Sequence, residues 1–407
     1  MSTQTTAPAP SAPQPKTGSA NPLVALTANL RQSGIYIAFV LVVALFAVLT
    51  DGRSLAAANV STIVTQYAYV LVLAIGMLIV IVAGHIDLSV GSVLAVVGAV
   101  AARLAITYGQ PWWVAALAGL AVGVVIGAWQ GFWVAYVGVP AFIVTLAGML
   151  LFRGLDYLVL ENISLSGFPS SYQKIATGYL NGLMGGYGYD AFTLLIGALA
   201  VAGFVVQQLR TRRARVKYQQ VVEALPVLLL KIVVVGAVVM WFAYQLATAR
   251  GLPIVLITLA VLIMAYVLIT KSTVFGRQVY AIGGNLSAAM LSGVNVRKVN
   301  FWIFVNMGFL AGVAGVIFSA YTNGAQPAAG TGAELDAIAA AFIGGAAVTG
   351  GVGTIVGAMV GGLLVAVINN GMIILGLGQE WQFIIRGMVL LLAVAFDVYN
   401  KRRSGTR

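Results

Sequence analysis

The chain has 407 residues, of which 61% are hydrophobic and 8% are charged, with a mean hydropathy of +1.00. This balance excludes an ordinary soluble protein, which needs far more charge on its surface. The formal net charge of +12 is typical of a membrane protein that keeps basic residues on its cytoplasmic side, rather than of a nucleic-acid-binding protein. The absence of cysteine excludes disulfides and zinc–thiolate sites, and a lone histidine, His85, leaves little room for a histidine-based metal site.

The N-terminal residues 1–30 are rich in Ser, Thr, Pro, Ala and Gln, which predicts a disordered cytoplasmic tail. No apolar stretch follows Lys16 directly, so we expect no cleaved signal peptide. A transmembrane domain over residues 31–400 and a basic cytoplasmic tail over residues 401–407 complete the predicted organisation.

Apolar runs of membrane-spanning length follow one another along the rest of the chain. They predict an all-α fold, a polytopic membrane helical bundle of about 10–12 transmembrane helices with one or more broken or half helices. The run at 335–349 is short and glycine-rich, so we expect a half-helix or a re-entrant piece there. The runs lie at roughly 35–50, 62–84, 88–107, 113–136, 140–158, 191–208, 225–247, 252–270, 301–321, 335–349, 353–376 and 382–398.

Most of the 22 Lys and Arg residues fall into groups that share one side of the membrane if the N-terminus is inside. By the positive-inside rule that side is the cytoplasm, which requires an even number of crossings and predicts that both termini are cytoplasmic. The groups are Lys16 and Arg31; Arg210, Arg212, Arg213, Arg215 and Lys217; Lys271, Arg277, Arg297 and Lys298; and Lys401, Arg402, Arg403 and Arg407.

Two polar loops are long enough to meet partners. The loop 159–190, expected outside, could form a small cap that docks a partner, and an ordinary solvated loop is the alternative. The stretch 271–300, expected in the cytoplasm, has basic residues at its edges. Its middle, Asn285 to Gly293, predicts one short helix of small and polar residues, either a docking element or a simple connection.

Motifs for catalysis are missing from the sequence. There is no GxxxxGK[ST] phosphate-binding loop, since Lys271 and Ser272 lack the preceding glycines, and no GxSxG or HExxH. The chain is therefore not expected to be an enzyme, its own ATPase included, and we expect neither a cofactor nor a metal.

Charged and hydroxyl residues interrupt two apolar runs. In GHIDLSVGS, Asp87 is either the N-cap of the third helix or a polar group on a path through the membrane, with Ser89 and Ser92 on one helix face. In PAFIVTLAGMLLFRGLD, Arg153 and Asp156 share a helix face, as an outer salt bridge or a polar gate. Thr145 of the same run is a further candidate for the path.

The segment AELDAIAAAFIGGAAVTGGVGTIVGAMVGG begins with Glu334 and Asp336, which suit the N-terminus of a helix. Glycines at 350, 351 and 353 should then break the helix, and those at 353, 357 and 361 form a ridge for close packing or line a cavity. Asn306, Asn369 and Asn370 lie in apolar runs, where an amide either ties helices together or faces a polar path.

Four motifs in this order and spacing, GHIDLSVGS, PAFIVTLAGMLLFRG, FGRQVYAIGGNLSAAMLSGVNV and AELDAIAAAFIGGAAVTGGVGT, resemble monosaccharide ABC-importer permeases of the ribose/xylose type. The resemblance covers residues from about 35 to 400, and the extra basic segment around 205–250 looks closer to xylose-type permeases than to the shorter ribose permeases.

The resemblance implies a permease in the bacterial plasma (inner) membrane that takes up a xylose-like sugar by alternating access. It implies a homodimer that works with separate cytoplasmic ATPase subunits and a periplasmic or lipid-anchored sugar-binding protein. By the same likeness, the segment from Asn285 to Gly293 is a coupling helix seated on the ATPase. The residues expected to contact the ATPase are Gly284, Asn285, Ala288, Ala289, Ser292 and Gly293.

Two other functions stay open from the residues alone. An ion-coupled secondary transporter of a small polar solute would use paired carboxylates inside the membrane, whereas the acids of this sequence mostly lie at the ends of apolar runs. A scaffold or a membrane enzyme is the other alternative, and no motif favours it.

Overall fold

The structure is a computed structural model that describes residues 30–220 and 222–403. Within these ranges the chain forms fifteen helices and only short strand pairs, which confirms the predicted all-α bundle. The predicted N-terminal tail lies outside the described residues apart from Leu30, and residues 401–403 of the predicted C-terminal tail belong to the last helix. The helices are α1 (Leu30–Leu49), α2 (Ala57–Val82), α3 (Val90–Ala102), α4 (Trp112–Phe132), α5 (Ala141–Leu160), α6 (Ser170–Thr177), α7 (Ala191–Lys217), α8 (Leu225–Ala249), α9 (Ile254–Ser272), α10 (Val274–Gly284), α11 (Leu286–Leu291), α12 (Val296–Thr322), α13 (Ala333–Ile343), α14 (Ile355–Ile374) and α15 (Gln379–Arg403).

Nine of the described helices are long and apolar enough to cross a membrane. Helix α3 reaches this length only with a final π-helical turn, Arg103–Thr107, and a second π-helical turn, Trp133–Val137, extends α4. Helix α13 has only 11 residues and is too short to cross alone. It is the half-helix that the glycine-rich run 335–349 predicts.

Helix α2 lies at the centre of the bundle, with nearly every side chain from Val64 to Val82 buried. Around it pack α8, α9, α12, α13 and α14. The longest contact joins α4 to α12, where Gly123 and Gly127 face Gly308 and Gly312 backbone to backbone. A Cβ atom on Gly123 would lie 2.5 Å from the Gly308 carbonyl oxygen, so glycine is required for this approach.

A connection of irregular backbone, 344–354, joins α13 to α14. It contains Gly350, Gly351 and Gly353, all with positive φ, as the predicted helix break requires. Gly357 and Gly361 of α14 meet the backbone of α13 at Gly344 and Ala340, whereas Gly353 precedes α14. The predicted ridge therefore has two helical members.

The loop 159–190 is folded onto the bundle. Strand β1 (Leu165–Ser166) pairs with β4 (Gly324–Ala325), and β2 (Tyr179–Leu180) pairs with β3 (Leu252–Pro253), both antiparallel. Between β1 and β2, Tyr172 of α6 is fully buried and its hydroxyl lies 2.9 Å from Ser319 Oγ. The first part of the loop is thus a packed cap.

The tip of the same loop differs from this cap. Leu183, Met184, Tyr187 and Tyr189 are exposed large apolar side chains. We call the end of the bundle that carries this tip the loop end. We call the other end, where α7 ends at Lys217 and α9 ends just after Lys271, the basic end.

Candidate functional site

The first turn of half-helix α13 is the centre of a network of charged residues inside the bundle. Glu334 and Asp336 both lie in this turn, as the sequence predicts. Because successive helical residues are separated by about 100°, residues two apart point to nearly opposite faces. Each carboxylate therefore meets a different set of neighbours.

On one face, Glu334 lies against the start of α3. A Cβ atom on Gly91 would collide with the Glu334 carboxylate and would lie 2.5 Å from the Gly330 carbonyl oxygen. Glycine at 91 therefore makes room for both groups. Glu334 Oε1 accepts a hydrogen bond from Gly332 N at 3.2 Å, whereas its buried Oε2 has no hydrogen-bond partner among the described residues.

Asp87 lies in the turn between α2 and α3 and is buried. Its carboxylate accepts hydrogen bonds from Ser89 N at 2.8 Å and from Ser89 Oγ at 2.7 Å. Gln130 of α4 donates from Nε2 to Ser89 Oγ at 2.5 Å, and Thr145 of α5 donates to the Ile86 carbonyl at 3.3 Å. Four segments of the bundle thus converge on the turn that contains Asp87.

The prediction that Asp87 is the N-cap of the third helix is wrong. The residue at the cap is Ser89, and its side chain bonds no amide of the first turn of α3. Asp87 instead accepts hydrogen bonds from Ser89 in a local turn that immediately precedes the helix. Of the two predicted serines, Ser92 has a buried hydroxyl without a hydrogen-bond partner among the described residues.

Arg153 and Asp156 of α5 form the predicted pair, with 4.0 Å between Arg153 Nη1 and Asp156 Oδ2. Both side chains also form hydrogen bonds with the backbone of the segment just before α13. Arg153 Nη1 donates to the Ala329 carbonyl at 2.6 Å, and Ala328 N donates to Asp156 Oδ2 at 3.2 Å. The Asp156 side chain is 0% exposed. The pair therefore fixes the connection that leads into the half-helix.

On the opposite face of α13, Asp336 meets α14 and α15. Asn369 Nδ2 donates to Asp336 Oδ2 at 3.3 Å, and Arg386 Nε donates to Asn369 Oδ1 at 2.8 Å. Arg386 Nη1 lies 3.7 Å from Asp336 Oδ2. These three residues, which we call the α13 clamp, hold the half-helix to the two helices that follow it.

The predicted path residues are only partly brought together. Asp87, Ser89, Thr145 and Arg153 lie on the Glu334 side of α13, and Asn369 lies in the α13 clamp on the other side. Two asparagines lie apart from both sets: Asn370 exchanges hydrogen bonds of 2.9 and 3.0 Å with Asn59, and Asn306 accepts one from Tyr266.

Sequence reasoning missed Gln130 as a member of this network. The signal was present, because Gln130 is a lone amide within an apolar run. Arg386 is equally conspicuous as a cation inside the last run, but no sequence pattern pairs it with Asp336, 50 residues earlier.

At the basic end, the stretch 271–300 contains two short helices, α10 and α11, and α11 is the short helix predicted from Asn285 to Gly293. Asn285 caps α11, where its Oδ1 accepts a hydrogen bond from Ala288 N at 2.9 Å, and Gly293 has a φ of 82° just after the helix. Of the predicted contact residues, Ala289 is buried, while Asn285, Ala288, Ser292 and Gly293 are exposed. Gly284 ends the preceding helix α10, with open space where a Cβ atom on it would lie.

The most exposed apolar side chains of this stretch are ones that the sequence prediction did not name. Leu291 is 91% exposed, and Leu286 and Met290 are also exposed. Together with the five exposed residues of the predicted set they form the α11 surface, whose remaining members are Gly284, Asn285, Ala288, Ser292 and Gly293. An exposed apolar cluster on a short helix is a common feature of protein–protein contacts.

A chain of contacts links α10 to the break after the half-helix. Tyr280 of α10 donates its hydroxyl proton to the Gly353 carbonyl at 2.7 Å, and Gly351 N donates to the Val82 carbonyl at 2.8 Å. Gly351 also lies against Gly284, with 2.7 Å from its ideal Cβ position to the Gly284 Cα. Residues next to or within the α11 surface thus contact the connection 344–354, which follows α13 directly in the chain.

The chain matches a protein family over residues 59–394, and that family is described as "Branched-chain amino acid transport system / permease component". The xylose transport system permease protein XylH of Haemophilus influenzae is 41% identical over 375 residues, covering 92% of this chain and 98% of that protein. XylH of Escherichia coli is 38% identical over 372 residues, covering 90% and 93%. The ribose import permease protein RbsC of Escherichia coli is 34% identical over 345 residues, covering 85% and 86%. No solved structure matches the chain.

Proposed function

The chain belongs to this family of transport permease components, and we propose that it is the membrane-spanning subunit of an ATP-binding-cassette importer that moves a xylose-like monosaccharide inward. The family membership confirms the resemblance that the four motifs carry. Sugars enter the proposal through the xylose and ribose permeases that the chain matches nearly end to end.

The observation that carries the mechanism is the hydrogen bond between Tyr280 and the Gly353 carbonyl. It joins the helix next to the α11 surface to the break that follows the half-helix. Movement of α11 by a bound ATPase can therefore be passed to α13 through packed backbone, without a long flexible linker. The first turn of α13 contains Glu334, which lies against the start of α3, and Asp336, which belongs to the α13 clamp. A shift of this helix would therefore rearrange the polar groups on both of its faces together.

In this mechanism the chain supplies a path and no covalent chemistry. The sugar hydroxyls would exchange hydrogen bonds with Glu334, Asp87, Ser89, Thr145 and Arg153 as the half-helix moves. The unpartnered Glu334 Oε2 is an acceptor that is free for this purpose among the described residues. Separate ATPase subunits would bind the α11 surface, and a second copy of the chain would complete the pore. A sugar-binding protein would dock at the loop end, where the tip from Leu183 to Tyr189 is exposed and apolar. In this proposal the basic end faces the cytoplasm of a bacterium, and the charge distribution supports this orientation.

The test is reconstitution of the chain with its ATPase and sugar-binding protein in liposomes, followed by sugar uptake and ATP hydrolysis. Xylose should stimulate both, and ribose and galactose measured in parallel would define the substrate. Leu291→Glu places a charge where an apolar contact forms, which should weaken ATPase binding at least tenfold. Leu291→Met keeps an apolar side chain and serves as the matched control. Unchanged binding and uptake in Leu291→Glu would refute the docking assignment.

Tyr280→Phe tests the link itself, because it removes only the hydroxyl. ATPase binding should persist while sugar uptake per ATP falls. If uptake per ATP is unchanged, the hydrogen bond to Gly353 does not transmit the movement.

A secondary transporter remains the second candidate, because four acids, Asp87, Asp156, Glu334 and Asp336, lie within the bundle rather than at its surface. Such a transporter would take up sugar in liposomes that contain the chain alone under a proton or sodium gradient. Uptake that needs both ATP and the ATPase would decide for the importer.

A further inference from the structure

The hairpin of α7 and α8 stands at the edge of the bundle and is held mainly at the loop end. There, Gln245 Nε2 donates to the Leu55 carbonyl at 2.6 Å, and Asp190 N donates to the Ala247 carbonyl at 3.0 Å. Gly197 of α7 and Ala243 of α8 are in close contact near the same end. Toward the basic end most side chains of both helices are exposed, and Leu228 is the only buried residue of the first half of α8.

The basic end of this hairpin contains an open cleft between the two helices. Its charged members are mostly cationic, and Glu223 is its one acid. Arg212 Nη1 donates to the Glu223 carbonyl at 2.6 Å, and Arg215 Nη1 lies 4.0 Å from Glu223 Oε1. The lining residues are Gln208, Thr211, Arg212, Arg215, Val222, Glu223, Leu228 and Lys231.

Lys231 is the unexplained member of this cleft. It lies six residues into α8, about 9 Å along the helix axis from Leu225. Its neighbours in sequence are apolar, its side chain is exposed, and it has no carboxylate or hydrogen-bond partner among the described residues. A lysine facing lipid at this depth is costly unless an anion or the headgroup region receives its ammonium.

We propose that the cleft between α7 and α8 binds the phosphate headgroup of an anionic phospholipid of the cytoplasmic leaflet. Lys231 and Arg212 would contact the phosphate, and Arg215 would add its charge at the rim. Arg212 uses one of its five N–H donors for the Glu223 carbonyl, so others remain for the ligand. The acyl chains would run along the exposed apolar residues Leu229 and Leu230.

Charge complementarity singles out an anionic lipid as the occupant. Basic pockets between membrane helices on the cytoplasmic side bind such headgroups, and each cation near the surface strengthens binding about fivefold, which corresponds to about 1 kcal/mol. The basic residues at 210–217 also satisfy the positive-inside rule, but that rule concerns loops and helix ends. It gives no reason for an unpaired lysine within an apolar helix.

The experiment is native mass spectrometry of the purified full-length chain with phosphatidylglycerol or phosphatidylcholine of the same acyl composition. The chain should bind phosphatidylglycerol more tightly than phosphatidylcholine. Lys231→Gln should weaken phosphatidylglycerol binding about fivefold, and Arg212→Gln combined with it about 25-fold. Lys174→Gln removes one exposed cation of the loop end and should leave binding unchanged.

Glu223→Gln provides an independent arm, because it removes the carboxylate that competes for Arg215 and should tighten phosphatidylglycerol binding. Equal binding of the two lipids, wild-type binding by a monodisperse Lys231→Gln sample, or no gain in Glu223→Gln would overturn the proposal. Competition by glycerol 3-phosphate at equal concentration would also overturn it, since the site would then serve a soluble anion. If the double variant does not fold, the phosphatidylglycerol binding of Lys231→Gln and Glu223→Gln still tests the proposal.

Discussion

The α13 clamp gives a prediction whose magnitude follows from its geometry. Replacing Arg386 by Gln leaves the Asp336 carboxylate, which is 5% exposed, without its cation. At the observed 3.7 Å separation, the attraction between the charges is about 4 kcal/mol for an effective dielectric constant of about 20. Loss of one member of a buried pair typically costs about 3–5 kcal/mol. We therefore expect Arg386→Gln to lower the free energy of unfolding by about 3 kcal/mol, slightly reduced because the Arg386 side chain is 25% exposed.

The double variant Asp336→Asn with Arg386→Gln separates the charge effect from general damage. Two neutral amides can still bond each other and Asn369, so the double variant should be more stable than the sum of the single losses predicts, by about 1–3 kcal/mol. The assay is equilibrium unfolding in mixed micelles, read by tryptophan fluorescence. Lys174→Gln, an exposed change at the loop end, should stay within about 0.5 kcal/mol of wild type.

Two results would contradict this reasoning. A loss below about 1 kcal/mol in Arg386→Gln would mean that Asp336 finds other partners or water. Strict additivity in the double variant would mean that the two side chains do not interact across the 3.7 Å gap.

Three further predictions concern other parts of the fold. Gly91→Ala should lower stability by about 1–3 kcal/mol and reduce sugar uptake, because the methyl group displaces the Gly330 carbonyl and the Glu334 carboxylate; unfolding and uptake assays check this. Tyr172→Phe should cost about 1 kcal/mol through loss of the bond to Ser319, and faster proteolysis of the loop 159–190 reports it. Asp190→Ala should cost about 1 kcal/mol, since Asp190 caps α7 by accepting from Thr193 N. Burial raises the pKa of the Asp190 carboxyl, but hydrogen bonds from Thr193 and Gly182 outweigh this effect and hold the pKa below its usual value. The extra stability of the wild type over Asp190→Ala should therefore be present at neutral pH and disappear as the pH falls through that lowered pKa. Unfolding curves recorded between neutral and acidic pH measure this difference.

The short helix predicted from Asn285 to Gly293 is confirmed as α11, whereas its role in docking a partner stays a prediction. The missing phosphate-binding loop and the polar stretch 271–300 were sufficient to predict a docking element near Asn285. The exposure of Leu286, Met290 and Leu291 was not predictable, because a leucine in such a short helix points either to solvent or to the bundle. That choice depends on how α11 sits against α10 and α12.

The sequence by itself determined that this is a polytopic helical membrane protein, approximately where the membrane-spanning helices lie, and that 335–349 does not make an ordinary span. Hydropathy and glycine content act over a few neighbouring residues, so they can be read from a local stretch of chain. It also determined the local pair of Arg153 and Asp156, because i,i+3 spacing places both on one helix face.

Only the tertiary structure decided which polar residues meet. Asp336 and Arg386 are joined because α14 returns the chain to α13, and Glu334 lies against the start of α3 because Gly91 leaves space beside Gly330. The same applies to Tyr280 and Gly353, which connect the α11 surface to the half-helix. Such contacts depend on packing between segments far apart in sequence, and no local pattern encodes them.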